Sequence, residues 1–266
     1  VQPDDSPLFE HPLDEESAFR PEALVDAVRS ERGAADAPLP PVCVLDFDGD
    51  LTDLLVESGR STRVESWACF HTTMEGVEVD GRRAGVVGRT IGGPYAVLVA
   101  EQMAASGVEV VLGLTSAGRV STEAPLPGLV VADEALRDEG TSLHYLPASR
   151  TVPGHAGLAE ALAAGLQSVP LPVARGLVWT TDAPYRETRT QLERHAAEHV
   201  LAVEMQAASL FAFAQARGVQ VGVVAHLTNE VEGEGDDFDK GEEELSVRIL
   251  EAMVRGAYAF LDSSSG

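Results

Sequence analysis

The stretch PVCVLDFDGDLTDLL, residues 41–55, sets the apolar run Pro41 to Leu45 against the polar turn Asp46-Phe47-Asp48-Gly49. An apolar run of this length that ends on a glycine turn reads as a buried β-strand opening onto a loop. Upstream, a Pro/Ala linker from Ala35 to Pro41 joins it to EALVDAVRSER, which Pro21 starts and Gly33 stops, the usual asymmetry of a helix. Residues 1–19 are acidic and proline-bearing, so 1–40 are expected to form a surface arm and helix, and 41–266 the main domain. Downstream, GVEVDGRRAGVVGR predicts a hairpin turning at Asp80-Gly81. Gly92-Gly93-Pro94 then opens an apolar helix ending at Gly107, and Val108 to Leu112 form a strand running into a small-residue loop, Thr115-Ser116-Ala117-Gly118. Further strands are predicted at 129–132, 142–146, 176–180, 200–203 and 219–225. A helix over 205–217 stops at Gly218, and an amphipathic helix with Leu245, Ile249, Met253 and Phe260 on one face closes the chain. The alternation implies a single α/β domain with a central mixed β-sheet flanked by helices.

With 266 residues and 44% hydrophobic content, the chain has enough material for one sizeable core. No apolar run reaches the roughly 18 to 20 residues of a membrane span, and VQPDDSPLFE lacks the features of a signal peptide, so a soluble cytoplasmic protein is expected. Cys43 and Cys69 have no metal-ligand spacing and read as reduced core thiols, with no metal site expected. The formal charge is −24 and Lys240 is the only lysine, which argues against nucleic acid and anionic membranes as partners. An anionic substrate would need a local arginine pocket. So acidic and lysine-poor a surface also fits a protein that stays soluble at high salt, where repulsion is screened.

Asp46-Phe47-Asp48-Gly49 resembles the nucleophile loop of haloacid-dehalogenase-type phosphatases. Such an enzyme also needs a lysine upstream of its metal-binding acids, whereas Lys240 follows Gly235-Asp236-Asp237-Phe238-Asp239. An arginine brings the charge without the compact point contact. The segment 230–244, with nine carboxylates and three glycines, reads as a solvated loop instead of a buried strand end.

Three other segments share a different resemblance. Thr90-Ile91-Gly92-Gly93-Pro94, Thr115-Ser116-Ala117-Gly118 and Val203-Glu204-Met205-Gln206-Ala207-Ala208, with Gly49-Asp50 upstream, resemble the nucleoside phosphorylase/nucleosidase family, nearest its uridine-phosphorylase branch. The resemblance implies a three-layer fold and cleavage of a nucleoside's N-glycosidic bond, with inorganic phosphate as co-substrate and no other cofactor. It also implies a homodimer or homohexamer. Such cleavage passes through a ribosyl cation, so the enzyme must hold the ribose hydroxyls, stabilise positive charge and bind the leaving base. By resemblance Glu204, Met205 and Gln206 form the ribose site, with Glu204 and Asn229 as catalytic candidates. Thr181, Tyr185 and Arg186 are expected at the base, and Gly49, Asp50, Thr115, Ser116, Arg89 and Arg119 around the phosphate.

The departures concentrate at the anion pocket. Positions that carry phosphate-binding arginines in the family hold Asp53, Phe70 and Gly113, the glutamate that takes ribose hydroxyls is Gln206, and the uracil-reading pair falls on Thr188 and Thr190. Each lost charge-assisted contact is worth ~1.5 to 3 kcal/mol. Two further readings therefore stand beside phosphorolysis: hydrolysis by water activated near Asp48, Asp50 or Asp53, and a non-catalytic nucleoside-binding relative. The acidic segment after Asn229 falls where relatives carry a flap over the base.

Overall fold

The computed structural model describes residues 6–35, 37–230 and 243–264, apart from the side chains of 229, 230 and 243. In chain order its elements are α1 (Pro21–Arg32), β1 (Val42–Asp46), α2 (Asp50–Glu57), β2 (Thr62–Arg63), β3 (Glu75–Val79), β4 (Arg82–Gly88), α3 (Gly93–Ala105), β5 (Val110–Arg119), β6 (Gly128–Asp138), β7 (Thr151–Pro153), α4 (Ala156–Leu166), β8 (Val173–Thr181), α5 (Arg189–Ala197), β9 (Ala202–Glu204), α6 (Ala207–Arg217), β10 (Gln220–Glu230) and α7 (Glu243–Ser264). The mixed sheet runs β10-β6-β8-β9-β5-β1-β4-β3-β2, and β10 also pairs with β5, so five strands close on themselves while β1 to β4 extend from the ring.

Strand β5 organises this arrangement. It pairs in parallel with β10 along its whole length. On its other side it pairs with β1 from Val110 to Leu114, and then, antiparallel, with β9 only at Gly118 and Arg119. Between these pairings, residues 115–117 face a fork where β1 has turned away at Gly49 and β9 has not yet joined. Two apolar layers cover the sheet. Phe47, Val111, Val223 and residues of α3 and α6 pack on one face, and Val44, Leu112, Val224 and residues of α2, α4 and α7 pack on the other.

The α1 helix, the Asp80-Gly81 hairpin, α3 and α6 agree with the sequence expectations to within two residues. Thr115–Gly118 is strand and not loop, because β10 continues to pair with it. The strand expected at 142–146 is a short 3-10 turn over Thr141–His144. There the Ser142 amide donates to Glu139 Oε2 at 2.9 Å and Arg137 Nε donates to the Ser142 hydroxyl at 2.8 Å, a local arrangement that competes with ladder pairing. Helices α2, α4 and α5 have no counterpart in the sequence expectation. Cys43 and Cys69 are both buried free thiols, and burial pushes the Cys43 thiol up to about 12. Among the described residues, no helix is long and apolar enough to cross a membrane. Most of the acidic segment 230–244 lies outside the described residues.

The packing explains two of the departures. A Cβ at Gly113 would lie 2.8 Å from Phe47 Cζ and 3.3 Å from Val223 Cγ2, so this position has no room for an arginine. Phe70 packs beneath the Arg32 guanidinium, 5.1 Å from its ring centroid, while Arg32 also donates to the Cys69 and Phe70 carbonyls, which ties the segment to α1. Gly113→Ala is expected to destabilise the fold by about 1 to 3 kcal/mol through overpacking against Phe47; denaturant titration checks this, and an unchanged midpoint would contradict the packing account.

Candidate functional site

The site is assembled around the fork. Strand β1 delivers Asp46 at its end, and the chain turns at Gly49 with φ +90 before entering α2. The buried Asp46 carboxylate accepts the Gly49 amide at 3.2 Å, the Thr52 amide at 2.8 Å and the Thr52 hydroxyl at 2.7 Å. Burial pushes its pKa up, and these hydrogen bonds work in the opposite direction. Two residues on, Asp48 Oδ2 accepts the Ser116 amide at 3.0 Å across the open edge of β5. The loop is therefore fastened to the fork by a contact between residues 68 apart in sequence.

Arg89 follows β4 and has a left-handed backbone, φ +60, a conformation that costs a non-glycine residue roughly 1 to 3 kcal/mol. Its amide donates to the Asp46 carbonyl at 2.9 Å. Its side chain crosses Gly49 so closely that a Cβ there would sit 2.5 Å from Arg89 Cγ, so glycine is required both for its left-handed turn and for clearance. The guanidinium makes a two-pronged contact with Asp53, Nη1 to Oδ1 at 2.9 Å and Nη2 to Oδ2. This contact lowers the Asp53 pKa and raises that of Arg89.

On the opposite side of the fork, the start of α6 holds the sugar-site candidates. Glu204 is buried at the end of β9; its Oε2 accepts the Gln206 amide at 2.6 Å and the Ala207 amide at 2.8 Å, and Oε1 accepts the Thr180 hydroxyl. Thr180 Oγ1 accepts the Ala208 amide at 2.9 Å, so Glu204 and Thr180 together cap the first turn of α6. Burial dominates the Glu204 carboxyl and pushes it up to about 7. Gln206 Oε1 accepts the Met205 amide at 3.2 Å and lies 3.5 Å from the Thr115 hydroxyl, whose single proton is better placed on the Ser116 carbonyl at 2.7 Å. The Gln206 Nε2 donors have no partner among the described residues.

Gly49, Asp48, Thr115, Ser116, Met205, Gln206 and Glu204 thus come together, and Arg89 and Asp53 form the rim beside Gly49. Asp50 is exposed at the first turn of α2. Arg119 ends β5, three residues past Ser116, or about 10 Å along the strand. Thr181 is buried and its hydroxyl accepts the Ala183 amide at 3.2 Å. Tyr185 is fully exposed and Arg186 exposed on the 3-10 turn Pro184–Arg186, so neither is in a formed base pocket. Thr188 caps α5 in a reciprocal box with Gln191. Asn229 has its backbone beside Gly118, while its side chain lies outside the described residues. Sequence reading missed Thr180, whose cap depends on the β8–β9 pairing of Thr180 with Glu204. It also missed Glu187, next after Arg186, where burial pushes the carboxyl up to about 7.

Comparison with known proteins accords with this geometry. A family model described as the phosphorylase superfamily matches residues 41–258. The guanosine phosphorylase of Halorubrum lacusprofundi is 28% identical over 223 residues, 78% of this chain and 92% of the relative. The uridine phosphorylase of Escherichia coli is 24% identical over 162 residues, 56% of this chain and 64% of the relative. That of Thermococcus kodakarensis is 27% identical over 178 residues, 61% and 63% of the two chains. The chain therefore spans less than two thirds of these uridine phosphorylases and nearly the whole of the guanosine phosphorylase. With the family match covering β1 to α7, the chain belongs to the phosphorylase superfamily.

Proposed function

We propose that the chain is a nucleoside phosphorylase, cleaving the N-glycosidic bond of a nucleoside with inorganic phosphate to give free base and pentose 1-phosphate. The observation that carries this reading is the convergence of Thr115, Ser116 and Gln206 with the Gly49 turn at a single fork in the sheet. Gln206 serves the ribose through the Nε2 donors that lack a protein partner, and Met205 backs the sugar. Both Glu204 oxygens are engaged by Thr180 and the α6 amides, so Glu204 acts as a positioning residue that fixes the start of α6. An amide at 206 contributes no negative charge opposite a ribosyl cation, which leaves that stabilisation to the nucleophile and to the aspartates of the loop. Asn229 holds the leaving base by hydrogen bonds, in line with the family resemblance, and Arg89 is the cation nearest Gly49 for phosphate.

Guanosine is the first substrate to test, because the relative matched over 92% of its length is a guanosine phosphorylase. The use of Thr188 as a helix cap also speaks against a uracil-reading role there. Assembly into a homodimer or homohexamer belongs to the same reading, and the exposed Phe9, Phe19, Ile91 and Leu98 offer apolar surface for it. One observation favours hydrolysis as a second reading: the Gly49 amide, the Ser116 amide and the Arg89 guanidinium are all engaged by carboxylates, an environment that suits water better than a dianion.

Incubating the protein with guanosine, inosine, adenosine and uridine, with and without phosphate, separates these readings. Free base released only with phosphate is the expected result; equal release without phosphate identifies a hydrolase, and saturable binding without turnover a non-catalytic relative.

Glu204 generates a pH prediction with a definite sign. Its folded pKa, about 7, lies above the ordinary 4.5, so between these values the folded protein keeps a proton that the unfolded chain has lost. This group's contribution to stability falls as pH rises through that window, by on the order of 3 kcal/mol, and its full cost applies above the folded pKa. Glu204→Gln, which keeps an acceptor for the two amides, is expected to flatten the decline of unfolding free energy between pH 5 and 7. A slope identical to wild type would contradict the assignment.

A further inference from the structure

The three donor groups at the Gly49–Ser116 pocket are each matched to a different aspartate of one eight-residue stretch: the Gly49 amide to Asp46, the Ser116 amide to Asp48 and the Arg89 guanidinium to Asp53. These contacts differ in how readily they can be exchanged. Asp46 is buried and also holds the Thr52 amide and hydroxyl, so removing it would leave several buried donors unsatisfied. Asp48 spans the fork. The Asp53–Arg89 pair sits at the rim, with side chains 46% and 63% exposed, so water screens it and it adds little to the stability of the fold. The Arg89 backbone is nevertheless held in the left-handed region, and Gly49 clears its side chain, so the guanidinium is built into this place.

We infer that Asp53 is an internal stand-in for the phosphate anion, occupying the Arg89 guanidinium until phosphate displaces it. The inference rests on the phosphorylase reading for its physiological meaning, but its physical content is a competition between two oxyanions for one guanidinium. A carboxylate presents two oxygens to a guanidinium in the same two-pronged geometry as phosphate, so one replaces the other without moving Arg89. Phosphate then takes the place of the Asp53 carboxylate on the Arg89 guanidinium, and Asp53 swings into solvent while Asp46 and Asp48 keep the Gly49 and Ser116 amides. Its charge still opposes the incoming dianion, so Asp53 sets a low affinity for phosphate and acts as a specificity-determining residue for the second substrate. No bond is made or broken in this exchange.

Two readouts test the inference. Inorganic phosphate is titrated calorimetrically into the full chain as wild type, Asp53→Asn, Arg89→Gln and the double variant, and phosphate KM and nucleoside KM are measured in parallel. Asp53→Asn is expected to tighten phosphate binding and lower phosphate KM by about fivefold, with nucleoside KM unchanged. Arg89→Gln is expected to weaken phosphate binding, and in its background Asp53→Asn is expected to give no gain. The inference is overturned if Asp53→Asn leaves phosphate affinity unchanged or lowers it, if the gain persists without Arg89, or if no variant binds phosphate. If the Asp53–Arg89 coupling appears in binding while no variant releases base, the exchange stands and the phosphorylase reading fails.

Discussion

The hydrogen bond from the Ser116 amide to Asp48 joins the two halves of the site. It exists because β5 loses its partner β1 at Leu114 and does not gain β9 until Gly118, which leaves the half-buried Ser116 amide without a partner strand on that side. An unmet donor there would cost about as much as a lost hydrogen bond, and the loop after β1 supplies the acceptor. That same loop turns through Gly49 into α2 and passes under Arg89, so the fork, the glycine turn and the rim arginine form one connected structure. The carboxylate spacing of DFDGDLTD provides this stitching: alternate residues reach back to the turn and across to the fork, and Asp53, one helical turn beyond Gly49, reaches the rim.

The resulting pocket is unusual in its charge. Where the family resemblance implies arginines, Gly113 is walled in by Phe47 and Val223, Phe70 belongs to the packing of α1, and Asp53 faces the Arg89 guanidinium at the rim. These are connected changes. Filling the space above Gly113 with Phe47 removes room for a cation at the fork, and the positive charge at Gly49 comes from β4 instead, through a strained residue. At the start of α6 the neutral Gln206 stands near a carboxyl, Glu204, that burial pushes up to about 7. The site as a whole thus carries less fixed charge around Gln206 than its acidic sequence suggests, and more negative charge around the Gly49 turn.

Much of this was legible in the sequence where local rules decide the outcome. The apolar run before Asp46, the Asp80-Gly81 turn and the proline and glycine boundaries of α1 and α3 are set by their own residues. The small residues Thr115–Gly118 read as a loop because their strand character comes from β10, a partner more than a hundred residues away. Ser142 was misread because Glu139 and Arg137 trap its backbone in a turn. At the site, resemblance pointed to Gly49, Ser116 and Gln206, but not to what engages them. The link from Asp48 to Ser116 and that from Arg89 to Asp53 depend on register across the sheet, and the capping duty of Glu204 depends on Thr180 arriving beside it on β8. For this reason the contacts by which Glu204 caps α6 were not legible in the sequence.

The central claim is that the anion seat lies over Gly49, between Arg89 and the fork, and that the sugar rests on Gln206 and not on Glu204. A crystal structure of the protein with guanosine and inorganic phosphate tests it most directly. The account predicts phosphate oxygens on the Arg89 guanidinium with Asp53 turned away, and ribose hydroxyls on Gln206 Nε2 with Glu204 still capping α6. Phosphate bound elsewhere with the Arg89–Asp53 pair intact, or ribose hydroxyls held by Glu204, would contradict it.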